Sequence, residues 1–302
     1  MTDAPKHLVL SRHGTLAGRE VGRLAYGCWR LPGTPQEELA GKIDAALEVN
    51  ANIIDTAAVY GAGEAERMLG VLISERPALR DAIVIVTKGG ITPPVPYDST
   101  KRHLIASCED SLRRLNCEQV EVFLIHRPDF LSAPAEAAEA LTELVESGKV
   151  RSVGVSNYTL EQTRALQAFL DVPVAVTQPE FSAMHTVPLD DGTLDYAQSA
   201  SILPMAWSPL AGGPLATGRV PDRADLRAAG LVAVLDRIAD DNGSTRECVA
   251  LAWLLAHPAG VVPIIGTQSP ERIRVAAGAF DIKMSRRDWY EILEASRGAP
   301  MP

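Results

Sequence analysis

The feature that most constrains the fold of this chain is a regular alternation of short β-branched runs with longer segments of helical spacing. Eight runs have the length of strands and are apolar at consecutive positions, which is typical of parallel strands buried on both faces. They are RLAYG, NIID, AIVIVTK, VEVFLIH, VRSVGVS, VAVTQ, ILPMAW and VVPIIG. Eight strand–helix units in 302 residues predict one domain, residues 1–302, folded as a single α/β (β/α)8 TIM barrel.

Signals for helix starts and helix ends lie between these runs. Leu39, Ile43 and Leu47 fall on one face of the segment after the first run. Ser269 followed by Pro270 is typical of a helix start, and Gly148 is typical of a helix end. Residues 209–230, after the seventh run, are rich in Gly, Pro and charge. We expect a functional loop there, on the active face of the barrel.

Composition narrows the range of partners. A formal net charge of -9 and a pI near 5.2 disfavour nucleic acid or an anionic membrane as the main partner. The four cysteines form no C-x-x-C pair and lie near no histidine at metal-ligand spacing, so we expect free thiols and no metal. The start, MTDAPKHLVL, lacks the pattern of a secretory signal, and the longest apolar run, VALAWLLA, is too short to span a bilayer. We expect a cytoplasmic protein, a monomer or weak homo-oligomer.

Polar side chains end most of the predicted strands. A parallel barrel brings the carboxyl ends of its strands to one mouth, so these side chains are expected to converge. Any single one is explained as a satisfied polar residue, but six strands that deliver hydrogen-bonding groups to one rim predict a ligand pocket. The strand-end residues are Asp55, Lys88, His126, Ser156, Asn157, Gln178, Trp207 and Ser208.

Four titratable groups near these ends suit one kind of chemistry. Tyr60 alone is a poor acid, with a reference pKa of about 10. An adjacent Lys88 ammonium would lower that pKa, and Asp55 would keep Lys88 charged and oriented. His126 would hold a substrate oxygen beside the phenol. The set suits proton donation to a carbonyl oxygen while a cofactor delivers hydride.

Seven segments together carry a resemblance to a known family. They are IIDTAAVYG, IVTK, FLIH, GVSN, QPE, AWSPLAGG and PIIGTQSPERI. In this order they are similar to the aldo-keto reductases, nearly from end to end, in the bacterial form with a short C-terminal tail. The resemblance implies an NADP-dependent oxidoreductase that reduces a small-molecule carbonyl, with Tyr60 as general acid, Lys88 and Asp55 tuning it, and His126 orienting the carbonyl. Gly61 and Gly63 then shape a turn and are no dinucleotide fingerprint, which requires G-x-G-x-x-G between strand and helix.

The resemblance also implies a set of residues that bind NADPH. Polar strand ends would bind the nicotinamide carboxamide, and Trp207 would stack on its ring. The loop that begins at Ser208 would hold the pyrophosphate, and Arg272 with Thr267 would contact the 2′-phosphate. The whole set is Cys28, Trp29, Arg30, Ser156, Asn157, Gln178, Trp207, Ser208, Pro209, Leu210, Gly212, Gly266, Thr267, Gln268 and Arg272.

Departures from the family pattern affect the cofactor. Gly266 stands where many relatives have a lysine for the 2′-phosphate, and Val275 and Ala276 replace polar residues that often bind adenine. NADPH stays favoured because Arg272 and Thr267 are present, but NADH is possible.

The substrate pocket is expected to include Trp29 and Arg127. Arg127 stands where many members have tryptophan, and it allows two interpretations: a pocket for a polar or anionic substrate, or a rim arginine paired with Asp129. We favour the ion pair, because arginines near barrel mouths often form only exposed pairs. The chain ends soon after the segment SRRDWYEILEASRG, so we expect an open site with broad aldehyde selectivity.

Two other functions use the same residues. A Schiff-base aldolase would use Lys88 as nucleophile, but that lysine must be neutral, whereas Asp55 and Tyr60 favour its charged form. A cofactor-binding regulatory subunit would keep the pocket without catalysis. We rank both below the reductase.

Overall fold

The structure is a computed structural model that describes residues 7, 8, 10–219 and 226–302. Eight parallel strands form a closed barrel in which each strand pairs with the next along the chain and the last pairs with the first, so the predicted TIM barrel is confirmed. All eight predicted runs supply its strands. These are β3 (Ala25–Gly27), β4 (Ile53–Asp55), β5 (Val84–Gly89), β6 (Val120–Ile125), β7 (Val150–Ser156), β8 (Val174–Gln178), β9 (Leu203–Ala206) and β10 (Val262–Ile265).

Helices pack around the outside of the barrel and bury a continuous apolar layer against it. The Ser269 side chain accepts a hydrogen bond from the backbone N–H of Arg272 at 3.2 Å, which confirms the predicted helix start. The helices are α1 (Glu37–Glu48), α2 (Glu64–Glu75), α3 (Leu79–Ala82), α4 (Lys101–Leu115), α5 (Pro134–Glu146), α6 (Leu160–Gln167), α7 (Thr193–Ser199), α8 (Pro214–Thr217), α9 (Leu226–Asp241), α10 (Arg246–Leu255), α11 (Pro270–Ala276) and α12 (Arg286–Arg297), with 3₁₀ turns at Val187–Leu189 and Ala277–Asp281.

The barrel interior is filled by apolar side chains at alternate strand positions. Ile53, Val86, Leu124, Val176 and Met205 belong to this inner cluster. Because strand side chains alternate between faces, the next inward position is two residues further along. On these five strands that position holds Asp55, Lys88, His126, Gln178 and Trp207.

An N-terminal hairpin, not anticipated from the sequence, contributes to the same inner cluster. Its strands are β1 (His13–Leu16) and β2 (Arg19–Gly22), paired antiparallel. Leu16 and Val21 are buried and pack with the inner residues of the barrel strands. The turn has positive φ at Ala17 (51°) and Gly18 (74°), as a two-residue hairpin loop requires. Ala-Gly is a weaker turn signal than Asn-Gly or Asp-Gly, which explains why the hairpin was missed.

The loop expected at 209–230 is partly helical. It contains α8 and the start of α9, and residues 220–225 lie outside the described residues. None of the described helices has the length and hydropathy needed to cross a membrane. Within the described ranges, no group of three or more His, Cys, Asp or Glu side chains is arranged to hold a metal ion.

Candidate active site

Lys88 lies at the centre of the site and connects two of its other groups. Its Nζ donates to the Asp55 carboxylate at 2.8 Å, to the backbone oxygen of Thr56 at 2.8 Å and to Tyr60 Oη at 3.2 Å. These three bonds use all three ammonium hydrogens. Gln178 Nε2 donates to the other Asp55 oxygen at 2.8 Å, so the carboxylate is held from two sides.

The charge states of this cluster follow from burial and from its partners. Burial acts to lower the pKa of Lys88, but attraction to Asp55 and Tyr60 outweighs it and raises the pKa above its ordinary value. Burial raises the pKa of Tyr60, and the Lys88 ammonium offsets this only in part. Lys88 therefore acts on the pKa of Tyr60 in the expected direction, but burial outweighs it and sets the net direction. At neutral pH the cluster holds a protonated phenol beside an ammonium ion.

His126 completes the set from the next strand. Its ring meets the Tyr60 ring edge to face, with centroids 5.8 Å apart and an interplanar angle of 77°. Burial lowers the pKa of His126 to about 3, with repulsion from Lys88 and Arg127 adding to the effect. The imidazole is therefore neutral at physiological pH, and it offers one N–H donor without a charge.

Asn157 ties three neighbouring groups together beside His126. Its Nδ2 donates to the His126 backbone oxygen at 3.2 Å and to Ser156 Oγ at 2.9 Å. Its Oδ1 accepts from Trp207 Nε1 at 2.9 Å, and Ser156 Oγ donates to the Gln178 backbone oxygen at 3.1 Å. The indole ring is thus fixed at the mouth, next to a wall of amide and hydroxyl groups.

A cavity of about 620 Å³ opens above these residues, within the size range of ligand sites. Two of the sequence-predicted site residues do not line it: Lys88 lies buried beneath Asp55 and Tyr60, and the Cys28 side chain is buried in the core, with its backbone N–H bound to the Asp55 backbone oxygen. The predicted residues that line it are Trp29, Arg30, Asp55, Tyr60, His126, Arg127, Ser156, Asn157, Gln178, Trp207, Ser208, Pro209, Leu210, Gly212, Gly266, Thr267, Gln268 and Arg272.

Sequence reasoning missed seven residues that line the cavity. Gly27 and Ile264 could have been predicted from the sequence, because both lie at inward-facing positions of strands that the sequence identifies. Glu247 begins a helix that carries no other site residue, so no local pattern marked it. The full missed set is Gly27, Gly213, Ala216, Thr217, Glu247, Ile264 and Ile265.

One wall of the cavity presents groups that suit anions. Ser208, Leu210 and Gly212 line it, and the structure pairs their backbone N–H groups with no acceptor among the described residues. The guanidinium groups of three lining residues add positive charge. The arginines are Arg30, Arg127 and Arg272. Unpaired donors beside fixed positive charge fit phosphate groups.

The structure contradicts the favoured interpretation of Arg127. Within the described ranges Arg127 forms no ion pair with Asp129, whose oxygens accept from the backbone N–H groups of Ser99 and Leu131 and from Ser132 Oγ. The Arg127 guanidinium instead lies 5.9 Å from the centre of the Trp207 ring, facing the cavity. Asp129 is occupied by closing its own loop, which leaves Arg127 available to a ligand.

A closed parallel barrel with a tyrosine, a lysine, a carboxylate and a histidine gathered at the carboxyl ends of its strands is typical of the aldo-keto reductase class of oxidoreductases. A model of the Aldo/keto reductase family matches residues 23–297, and the chain belongs to this family of oxidoreductases.

Particular relatives refine that class. The chain is 42% identical over 294 residues to a 6-dehydroglucose reductase of Novosphingobium aromaticivorans, covering 95% of each chain. It is 39% identical over 291 residues to a 6-dehydroglucose reductase of Agrobacterium fabrum, covering 92% of this chain and 95% of that protein. An aldo/keto reductase from Klebsiella pneumoniae, solved in complex with NADP and acetate, superposes with a TM-score of 0.79 at 29% identity, covering 98% of this chain and 96% of that chain. The resemblance seen in the sequence is confirmed.

Proposed function

We propose that this chain reduces aldehydes or ketones to alcohols with NADPH, with Tyr60 as the general acid. The observation that carries the proposal is the three-way contact of Lys88 Nζ with Asp55, the Thr56 backbone and Tyr60 Oη. It places a protonated phenol next to a fixed positive charge at the floor of the cavity. That arrangement suits the donation of a proton to a developing alkoxide.

The cavity fits a nicotinamide dinucleotide. The free N–H groups of Ser208, Leu210 and Gly212 suit its pyrophosphate. Polar strand ends beside Trp207 suit the nicotinamide carboxamide. When bound, the reduced cofactor supplies a hydride. The similar Klebsiella pneumoniae protein was solved with NADP, which supports this choice.

The residues of the chain then divide the remaining work. The neutral His126 donates a hydrogen bond that holds the carbonyl oxygen near Tyr60. Once the cofactor had supplied its hydride to the carbonyl carbon, Tyr60 would donate its proton to the carbonyl oxygen, so that the C=O double bond would become a C–OH group. The Lys88 ammonium stabilises the phenolate left behind, and Asp55 keeps Lys88 charged. Removal of such an acid costs roughly 10²–10⁴-fold in rate.

The same contacts weigh against the Schiff-base alternative. A nucleophilic lysine must be neutral, and Lys88 has its pKa raised and all three hydrogens engaged. A regulatory subunit without catalysis has no need for the buried pair of Lys88 and Asp55, which is costly to desolvate.

The substrate that we propose is a polyhydroxylated aldehyde. Two similar proteins are named 6-dehydroglucose reductases. In this chain Arg127 faces the cavity beside Trp207, without a carboxylate partner in the described residues, and the exposed Trp29 lines the same cavity. A guanidinium next to aromatic rings suits the hydroxyl groups and apolar face of a sugar.

The test compares Tyr60→Phe with Tyr196→Phe, a tyrosine on α7 that does not line the cavity. Tyr60→Phe should lower kcat by roughly 10²–10⁴-fold while NADPH binding, followed by quenching of tryptophan fluorescence, stays unchanged. Tyr196→Phe should change neither.

Substrate class is tested by assaying 6-dehydroglucose and benzaldehyde with wild type and with Arg127→Gln. The substitution should raise KM for the sugar aldehyde alone. Full turnover by Tyr60→Phe would refute the mechanism.

A further inference from the structure

Glu247 is a buried carboxylate in the cavity that the reaction does not use. It lies in the first turn of α10 and is 8% exposed. It lines the same cavity as Arg272, and its Oε2 lies 3.4 Å from Arg272 NH2. The Arg272 side chain remains about half exposed, so this pair leaves the guanidinium accessible.

A carboxylate and a guanidinium recognise different forms of the adenosine ribose. In dinucleotide sites generally, an acidic side chain accepts a hydrogen bond from the ribose 2′-hydroxyl of NAD, whereas an arginine accommodates the 2′-phosphate of NADP. This cavity holds one of each, in contact with one another. Gly266 itself carries no charge, and the Arg30 guanidinium beside it donates to the Gly266 backbone oxygen at 3.1 Å. If Arg272 contacts the 2′-phosphate as the resemblance implies, it does so with the negative charge of Glu247 at its side.

We propose that Glu247 sets the cofactor preference of this enzyme by bringing its affinities for NADPH and NADH close together, so that the enzyme uses both. The inference rests on the proposed function, because it needs a dinucleotide in this cavity. The carboxylate accepts from the ribose hydroxyls of NADH. Toward NADPH it repels the 2′-phosphate and competes for Arg272.

The experiment measures dissociation constants for NADPH and NADH separately, by quenching of the fluorescence of Trp207 and Trp29, which both line the cavity. The variants are Glu247→Gln and Arg272→Gln, with Glu271→Gln as the matched control. Glu271 is an exposed carboxylate beside Arg272 that accepts from Ser269 Oγ and does not line the cavity. Thermal denaturation of each variant confirms that it is folded.

Wild type should bind both cofactors, with dissociation constants within about tenfold of each other, since one charged hydrogen bond is worth about that factor. Glu247→Gln should bind NADPH several-fold tighter and NADH about tenfold more weakly. Arg272→Gln should weaken NADPH alone, and Glu271→Gln should leave the ratio unchanged.

Two outcomes separate this inference from the function on which it rests. If neither cofactor quenches the wild-type fluorescence, the proposed function itself is wrong. If both bind and Glu247→Gln leaves the ratio of the two dissociation constants unchanged, the role of Glu247 is overturned and the reductase function stands.

Discussion

Asp55→Asn is the change that most directly tests the buried charge arrangement of the site. The Asp55 carboxylate is 3% exposed and lies 2.8 Å from Lys88 Nζ, which is fully buried. The asparagine keeps the size and an acceptor oxygen but removes the negative charge. Lys88 would then be a buried ammonium with neutral acceptors alone: the asparagine oxygen, the Thr56 backbone oxygen and Tyr60 Oη.

The expected loss of stability is bounded on two sides. At 2.8 Å and an effective dielectric of 20, the direct attraction is ~6 kcal/mol. Breaking a buried pair by removing one partner costs about 3–5 kcal/mol in net terms, because the remaining charge stays desolvated. Lys88 avoids the cost of an unpaired buried charge if it loses its proton and becomes a neutral amine. From its ordinary pKa of 10.5, this costs ~5 kcal/mol at pH 7, at 1.36 kcal/mol per pH unit.

This escape makes the stability of the variant depend on pH in a direction opposite to that of wild type. In wild type the folded pKa of Lys88 is raised above 10.5, so its contribution is complete below that pH and is lost only as pH rises through the folded pKa. In Asp55→Asn the folded pKa falls below the unfolded one, so the unfolded state binds more protons. The free energy of unfolding of the variant then rises with pH. Its largest expected loss relative to wild type falls to ~2 kcal/mol at pH 9.

The assay is urea denaturation of wild type and variant at pH 7, 8 and 9. Glu38→Gln is the matched control, because Lys42 is also buried and lies 3.0 Å from Glu38, but that carboxylate is half exposed. We expect the control to lose ~1 kcal/mol or less, with no trend between pH 7 and 9. A loss in Asp55→Asn that equals the control, or that is the same at all three pH values, would refute the reasoning.

Two further predictions concern the mouth and the base of the barrel. Because burial lowers the pKa of His126 to about 3, the pH profile of kcat/KM should show no histidine step between about pH 5 and 8; a step in that range that disappears in His126→Gln would contradict this. Leu16→Ala should lower the free energy of unfolding by about 2–5 kcal/mol with kcat unchanged, because Leu16 is 3% exposed in the inner cluster far from the mouth. Thr15→Ala, on the exposed face of the same strand, is the control for the second, and an equal loss in both urea titrations would show that the hairpin does not pack into the barrel.

The sequence was enough to predict the barrel and to bring the four titratable side chains of the candidate site together, because both depend on patterns that are short-range along the chain. Each strand run is contiguous, and each of Asp55, Lys88 and His126 ends such a run, so the parallel barrel alone brings them together. Tyr60 was found through its motif, since the turn that carries it has no periodicity.

What escaped sequence analysis depends on contacts between distant segments. Glu247 reaches the cavity only because α10 packs where it does, and its partner Arg272 lies 25 residues further along on another helix. Sequence analysis could not show that Arg127 lacks an ion pair with Asp129, because the Asp129 carboxylate accepts its hydrogen bonds within its own loop. The net rise in the pKa of Tyr60 required its burial, which sequence does not give.

The charged cluster lies at the depth in the barrel where hydrogen-bond partners for the Lys88 ammonium are available. One layer deeper, an inward side chain on β5 is surrounded by apolar neighbours such as Val122 and Ile53, which offer no partner to an ammonium group. At the level of Lys88 the strands end, so the freed backbone oxygen of Thr56 and the turn that carries Tyr60 come within reach. Since apolar residues of similar volume often replace a buried ion pair without loss of stability, stability alone does not explain this pair. The proposed reaction does explain it, because that reaction needs a proton on Tyr60 beside a permanent positive charge.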